Sequence, residues 1–284
     1  MFGFASPFGC SCHPTATTSA GAAPGAHGRR LFTGLLLAGA AAPALAQIPE
    51  CRRSRAASLA PASYVENMAQ QQYAQMLNEA RKARALATGG PQLERLRYIA
   101  ARMVPFAPAC NERARQWRWE INLLGSDQVN AFCMPGGKIA FYTGILVKLK
   151  LDDDEVAMIM GHEIAHALLE HARERMVKAG GTELLLRGGA ALLGLGSLGD
   201  AAAAGASQLL GLIVAAQAGY DPKAGVTLWQ KMTRLSGGQQ APWLSTHPAG
   251  ERRIADIEAR LPQLTPVFQR APKPERRFGA PQAG

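Results

Sequence analysis

Two histidines four residues apart, with a glutamate directly after the first, stand at His162, Glu163 and His166 within "IMGHEIAHALLEH". These types at this spacing belong to metal-activated hydrolysis. On a helix, residues i and i+4 project from one face, so both imidazoles reach a single cation. Zinc suits that donor pair and lowers the pKa of a bound water. Glu163 is then placed to take the proton as the water attacks a carbonyl. The pattern implies one Zn(2+) per chain, with His162 and His166 as ligands and Glu163 as general base.

A catalytic zinc normally takes three protein ligands plus water. Glu170 continues the i, i+4 row, but it would have to stretch back past His166 to share a metal. His171 is rotated roughly 140° from His166 at about 100° per residue, which predicts a surface histidine on another face. The extended HExxHxxGxxH motif fails, because Leu169 and Ala172 stand where its Gly and third His belong. The third ligand has to come from farther along the chain.

The elements around the motif read as α+β, mostly helical. Ser63 to Glu66 has the form of a capping box and opens a helix over about 64 to 86. A second helix, 92 to 103, stops before Pro105. The period then changes: Trp117, Trp119, Ile121 and Leu123 alternate with polar residues, as in a strand with one buried face. "QVNAFCM" and "GKIAFYTG", joined by Pro135-Gly136-Gly137, read as a hairpin, so a small antiparallel sheet is expected just ahead of the histidine motif. Asp152 to Glu155 suit the positive end of a long helix that carries the motif. From Gly180 to Gly219 the chain is rich in Ala, Gly and Leu and reads as helices packed on the core. Nineteen uncharged residues from Ala201 to Gly219 almost suffice to span a membrane, yet Ser207, Gln208 and Gln217 interrupt them. Peripheral membrane contact is the option left open. Helices through Trp229 and Met232 and over about 250 to 261 follow, then a Pro-rich tail from Ala271 expected to be disordered.

The whole chain has 284 residues, 48% of them hydrophobic, which is enough for one sizeable core. Its net charge of +10 lacks the dense Lys/Arg blocks with interleaved aromatics that would argue for nucleic acid. Arg29 and Arg30, an uncharged run from Leu31 to Ala46, and Ala44-Leu45-Ala46 before Gln47 have the order of a Sec or twin-arginine export signal. The expected division is a leader and signal peptide over 1–46, a linker over 47–62, a catalytic domain over 63–265 and a disordered tail over 266–284. An exported, periplasmic setting follows, with Cys51, Cys110 and Cys133 retained and Cys110 with Cys133 as the first expected disulfide. Oligomeric state is not specified by the sequence.

The chain resembles the zinc metallopeptidases that include HtpX and the CAAX prenyl proteases, most closely their exported bacterial quality-control branch. "VNAFCMPGGKIAFYTGIL", "DDEVAMIMGHEIAHALLEHARERM", "AGYDP" and "WLSTHPAGERRI" carry the resemblance. It implies a gluzincin-type fold with the HExxH helix beside a sheet whose edge receives an extended peptide as an added strand. Asn130, Ala131 and Phe132 are the candidates for that edge. The implied activity is endoproteolysis of misfolded or unassembled protein, so the partners are protein or peptide substrates.

The same resemblance places the third ligand, a Glu in an ExxxD pattern, shortly before "AGYDP". Counting back without a gap puts Ala204 and Gln208 at those positions, as though about one helix had been deleted. Glu174, Glu183, Asp200 and Asp221 have no spacing in their favour. His247 in "STHP" is a candidate additional metal or transition-state residue. Arg253 is a candidate for stabilising developing negative charge, and Tyr142 is a donor candidate that a strand aromatic more often spends on packing. Two expectations result: a zinc metalloendopeptidase, or a catalytically impaired pseudoenzyme that binds extended peptides.

Overall fold

Three strands and eight helices position the histidine motif among the described residues of this computed structural model, which are 51–178, 201–236 and 251–281. Strands β1 (Glu120–Leu124), β2 (Ala131–Met134) and β3 (Lys138–Tyr142) form one sheet in the order β1-β3-β2. The expected hairpin is present: β2 and β3 pair antiparallel, with Phe132 opposite Ala140. Its turn needs left-handed backbone at Gly136 (φ 81°) and Gly137 (φ 76°). A Cβ on Gly137 would also stand 2.7 Å from the Trp119 ring.

The sheet is mixed rather than antiparallel, because β1 pairs with β3 in parallel, Ile121 opposite Ile139. After β1 the chain crosses to the far side of the sheet before starting β2. The returning β3 therefore enters the centre already aligned with β1. Period-2 patterning assigns faces, not neighbours, so the sequence carries no signal for this crossover.

Alternation divides the sheet's side chains between two apolar layers. Leu123, Ala131, Cys133, Ile139 and Phe141 join the main core with helices α2 (Pro91–Met103) and α4 (Asp153–Leu168). Leu124, Phe132, Met134 and Ala140 join a smaller cluster with α1 (Ala62–Lys82) and α5 (His171–Lys178). A short α3 (Thr143–Lys148) follows β3. Helix α1 starts at Ala62 behind Pro61, and the expected capping box is not made. Glu66 instead accepts from Arg113 at 2.6 and 2.9 Å and from Trp117 Nε1 at 2.9 Å. A tertiary ion pair with a buried indole outcompetes a local cap worth about 1 kcal/mol.

Helix α4 has the cap that its sequence predicts, with Asp152 accepting from Glu155 N and Glu155 accepting from Asp152 N, both at 2.9 Å. The helix does not run on to Met176. Glu170 adopts φ 59°, which ends α4 and turns the chain into α5. Helix α6 (Ala201–Gln217) lies across α4 and is a core helix, with Leu210, Leu212, Val214 and Ala215 buried. No helix among the described residues is long and apolar enough to cross a membrane. Helices α7 (Ala224–Ser236) and α8 (Glu251–Arg270) complete the bundle. Helix α8 passes the expected end at Leu261 and continues through Pro262 and Pro266. Those two missing donors are four residues apart and so share one face, while Ile257 and Leu264 bury another.

The tail also departs from expectation. Residues 271–281 are laid against α2 and the start of α4. Arg102 donates to Pro272 O at 2.5 Å, Arg277 pairs with Asp154 at 2.8 Å, and Phe278 N donates to Asp153 at 2.7 Å. Polar anchors of this kind leave no hydrophobic period to read. The disulfide joins Cys51 to Cys110, not Cys110 to Cys133; Cys133 is buried and free. Sequence order cannot choose among three cysteines, and β2 directs Cys133 into the core beside α4. All described residues lie within one compact unit.

The base of α4 rests on a buried ion pair. Arg95, fully buried, donates to Asp153 at 2.6 Å, to Leu151 O at 2.7 Å and to Gln92 at 3.1 Å. Burial alone lowers its pKa, and Asp153 opposes that shift. Arg95→Ala would strand Asp153 at the helix start. It is expected to cost about 3–5 kcal/mol, read as a fall of roughly 10 °C or more in thermal unfolding. Combining Arg95→Met with Asp153→Asn should recover most of that loss, because the stranded charge goes with its partner.

Candidate metal centre

His162 and His166 project from one face of α4 as the spacing requires, and their Nε2 atoms face each other at 3.0 Å. Two imidazole nitrogens on one tetrahedral zinc stand about 3.3 Å apart at ordinary Zn–N distances. The pair would therefore fit two of the four coordination positions of a single zinc with little adjustment. Both His162 and Glu163 are buried. Glu163 lies close enough to β2 to act on the Cys133 thiol, whose pKa is pushed well up first by burial and then by that carboxylate. The structure thus brings His162 and His166 together and buries Glu163 beside the first of them in sequence.

No third protein ligand joins them among the described residues, where no group of three His, Cys, Asp or Glu side chains could hold a metal. Glu170 is turned away: it pairs with Arg173 and lies 3.5 Å from Arg53. Glu174 pairs with Lys178 at 2.7 Å. Asp221 accepts from Lys223 N at 2.9 Å in its own turn. Glu183, Asp200 and His247 lie outside the described residues.

Helix α6 brings other groups to this region. Ser207 and Gln208, both buried, face inward. Gln208 Oε1 accepts from Trp229 Nε1 at 3.1 Å and from Arg253 at 3.4 Å. Arg253 lies over the Trp229 ring, 4.4 Å from its centroid, and burial lowers its pKa. Its partners among the described residues are the Gln208 amide and the Trp229 indole, and the Asp256 carboxylate opposes the shift caused by burial. Tyr142 packs against Phe132 with ring centroids 6.4 Å apart, and burial raises its pKa, as befits a packing aromatic.

Two residues near the centre escaped the sequence. His171, expected on the surface, is buried, and its Nδ1 lies 2.8 Å from His166 Nδ1 and 3.3 Å from Ser207 Oγ. The 140° rotation assumed an unbroken helix; the left-handed Glu170 resets the direction and turns His171 inward. Arg175 follows His171 by one turn of α5. Burial depresses its pKa while Glu163 and then Glu174 hold it up, and its Nε has no hydrogen-bond partner among the described residues. A basic residue in a charged helical run gives no sequence signal that its Nε will be enclosed.

The edge strand expected beside this centre is β2. It is bonded to β3 on one side and is paired with no further strand among the described residues. Asn130 O accepts from Tyr142 N at 3.1 Å, so Asn130 and Phe132 direct their backbone groups toward β3. By the antiparallel alternation, Ala131 and Cys133 direct theirs away from it.

The fold and the paired histidines define a zinc-metallopeptidase type of site, and sequence comparison agrees. The family model described as peptidase family M48 matches residues 92–217. Over that stretch the chain is similar to peptidase family M48. It is 34% identical over 146 residues to mitochondrial metalloendopeptidase OMA1 of Arabidopsis thaliana, covering 48% of this chain and 30% of that one. It is 31% identical over 161 residues to OMA1 of Schizosaccharomyces pombe, covering 51% and 48%. It is 27% identical over 186 residues to metalloprotease LoiP of Escherichia coli, covering 55% and 73%. The chain thus spans half or less of the length of the OMA1 proteins it matches.

These relatives correct two expectations. The matching family model is that of M48, and the relatives do not place the chain in the HtpX and CAAX branch. The expected periplasmic location is overturned, since relatives from plant, fungi and animals are mitochondrial enzymes. The alternative of a peptide-binding pseudoenzyme finds no support among relatives named as proteases.

Proposed function

We propose that this chain is a zinc-dependent endopeptidase acting on unfolded or unassembled protein, with His162 and His166 as zinc ligands and Glu163 as general base. The observation that carries it is the pair of Nε2 atoms facing each other at 3.0 Å, with the buried carboxylate of Glu163 next in sequence. Zinc held there would supply Lewis acidity and a water acidic enough to ionise near neutral pH. Glu163 would serve as the base that takes a proton from the attacking water and returns it to the departing amine. The substrate is held as an extended segment along β2 by backbone bonds to Ala131 and Cys133. Side-chain identity then matters little, which suits a scavenger of non-native chains. The third ligand is sought outside the described residues, where His247, Glu183 and Asp200 are the residues to test.

Metal removal tests this directly. Purified protein is expected to carry one zinc per chain and to cleave unfolded casein. Dialysis against a strong chelator should remove cleavage by at least about a hundredfold, and stoichiometric zinc should restore it. Casein cleavage that survives complete zinc removal would sink the proposal.

A further inference from the structure

We propose that His171 is a positioning residue that fixes the tautomer and ring orientation of His166; this rests on the peptidase reading above. The geometry is specific. His166 directs Nε2 toward His162 Nε2 and Nδ1 toward His171 Nδ1, at 3.0 and 2.8 Å, so its two nitrogens are committed to opposite sides. The rings meet edge to face, centroids 4.9 Å apart and planes 71° apart.

Two Nδ1 atoms at this distance need one proton between them. If His166 Nε2 is to offer its lone pair to a cation, its own Nδ1 must carry that proton and donate it. His171 Nδ1 is then the acceptor, and His171 is held as the Nε2–H tautomer. Ser207 Oγ, 3.3 Å from the same nitrogen, is the more distant of two groups facing its single lone pair, which leaves the His166 Nδ1–H as the closer donor. A hydrogen bond from the far nitrogen is what orients a histidine ligand and raises its basicity. Such partners are usually a carboxylate, a carbonyl or water; here it is a third imidazole.

The fold builds this contact on purpose-made backbone. Glu170 pays for left-handed φ at 59°, and its carboxylate is tied down by Arg173 and by Asn111 Nδ2 at 3.4 Å. Asn111 Nδ2 also donates to Leu168 O at 3.0 Å, satisfying the end of α4. The break between α4 and α5 is therefore pinned, and His171 is its first residue.

The test compares His171→Phe, which keeps a ring without an acceptor, with His171→Asn, whose Oδ1 can occupy the place of Nδ1. Zinc affinity is measured by competition with a chromophoric chelator, and the His166 tautomer of the full-length metal-free protein by long-range proton–nitrogen NMR. The Phe variant is expected to bind zinc about 10–100-fold more weakly, and His166 to lose its fixed Nδ1–H form. The Asn variant is expected to restore both to near wild type. Unchanged zinc affinity and tautomer in the Phe variant would overturn the proposal. So would equal losses in both variants accompanied by equally lowered thermal stability without metal, which mark simple packing. Wild-type protein that takes up no zinc yet keeps the His166 tautomer locked refutes the peptidase reading and supports the histidine pairing itself.

Discussion

Glu163→Gln is expected to lower kcat/KM on unfolded casein by about 10²–10⁴-fold while leaving zinc content unchanged. The substitution keeps the size of the side chain and one oxygen, so α4 and the buried surroundings of residue 163 remain filled. What disappears is the ability to take a proton from water and return it to the amine. Because His162 and His166 hold the metal in this scheme, stoichiometry measured on the purified variant should match the wild type. Two departures would be informative. A variant that retains activity within tenfold means another group serves as base. A variant that loses zinc along with activity means Glu163 itself ligates, which would also explain why no third ligand gathers elsewhere among the described residues. Arg175 enters this experiment as well. It is half-buried, with its Nε enclosed, and feels the Glu163 carboxylate's charge, so a neutral residue 163 should lower its pKa further.

The histidine motif, its helix and the strand beside it were legible because each rests on a local pattern. The i, i+4 histidines need only a helix, the acids at 152 to 155 announce its start, and a Pro-Gly-Gly turn between alternating runs announces a hairpin. What failed to show depends on contacts between segments distant in sequence. Glu66 leaves a local cap for Arg113 and Trp117. The tail is held by Asp153 and Asp154, which double as the acids of the α4 N-terminus. Cys51 rather than Cys133 reaches Cys110 because β2 is committed to the core. His171 is the instructive case, since an otherwise sound angular argument was defeated by one residue with positive φ. Glycine commonly signals such a break; glutamate does not. The absence of an ExxxD ligand before "AGYDP" was also legible, and Gln208, at the position counted for its Asp, is committed to Trp229 and Arg253.

Replacing Gly211 with valine is expected to destabilise the protein by about 3 kcal/mol or more and to weaken zinc binding with it. Helix α6 meets α4 glycine to glycine. A Cβ added at Gly211 would stand 2.6 Å from the backbone nitrogen of His162 and 2.7 Å from the carbonyl carbon of Gly161. Seen from the other helix, a Cβ at Gly161 would stand 2.5 Å from Gly211 O. These neighbours are main-chain atoms, so no change of rotamer relieves the overlap and the helices themselves must separate. Glycine inside a helix costs about 1 kcal/mol relative to alanine, and two helices accept that cost here at the same crossing. The close approach it permits buries Leu210, Leu212, Val214 and Ala215 of α6. It also sets Ser207 within reach of His171. Gly211→Ala should give a smaller loss of the same kind, and the thermal midpoint should fall in the order Ala then Val. Zinc affinity measured on the folded fraction should fall in the same order, because the nearest atom is His162 N and any separation of the helices moves the first ligand. A valine variant with unchanged thermal midpoint would show that α6 does not seat on α4 at this crossing. A valine variant that is destabilised but binds zinc normally would show that the ligand pair is held by α4, β2 and α5 alone.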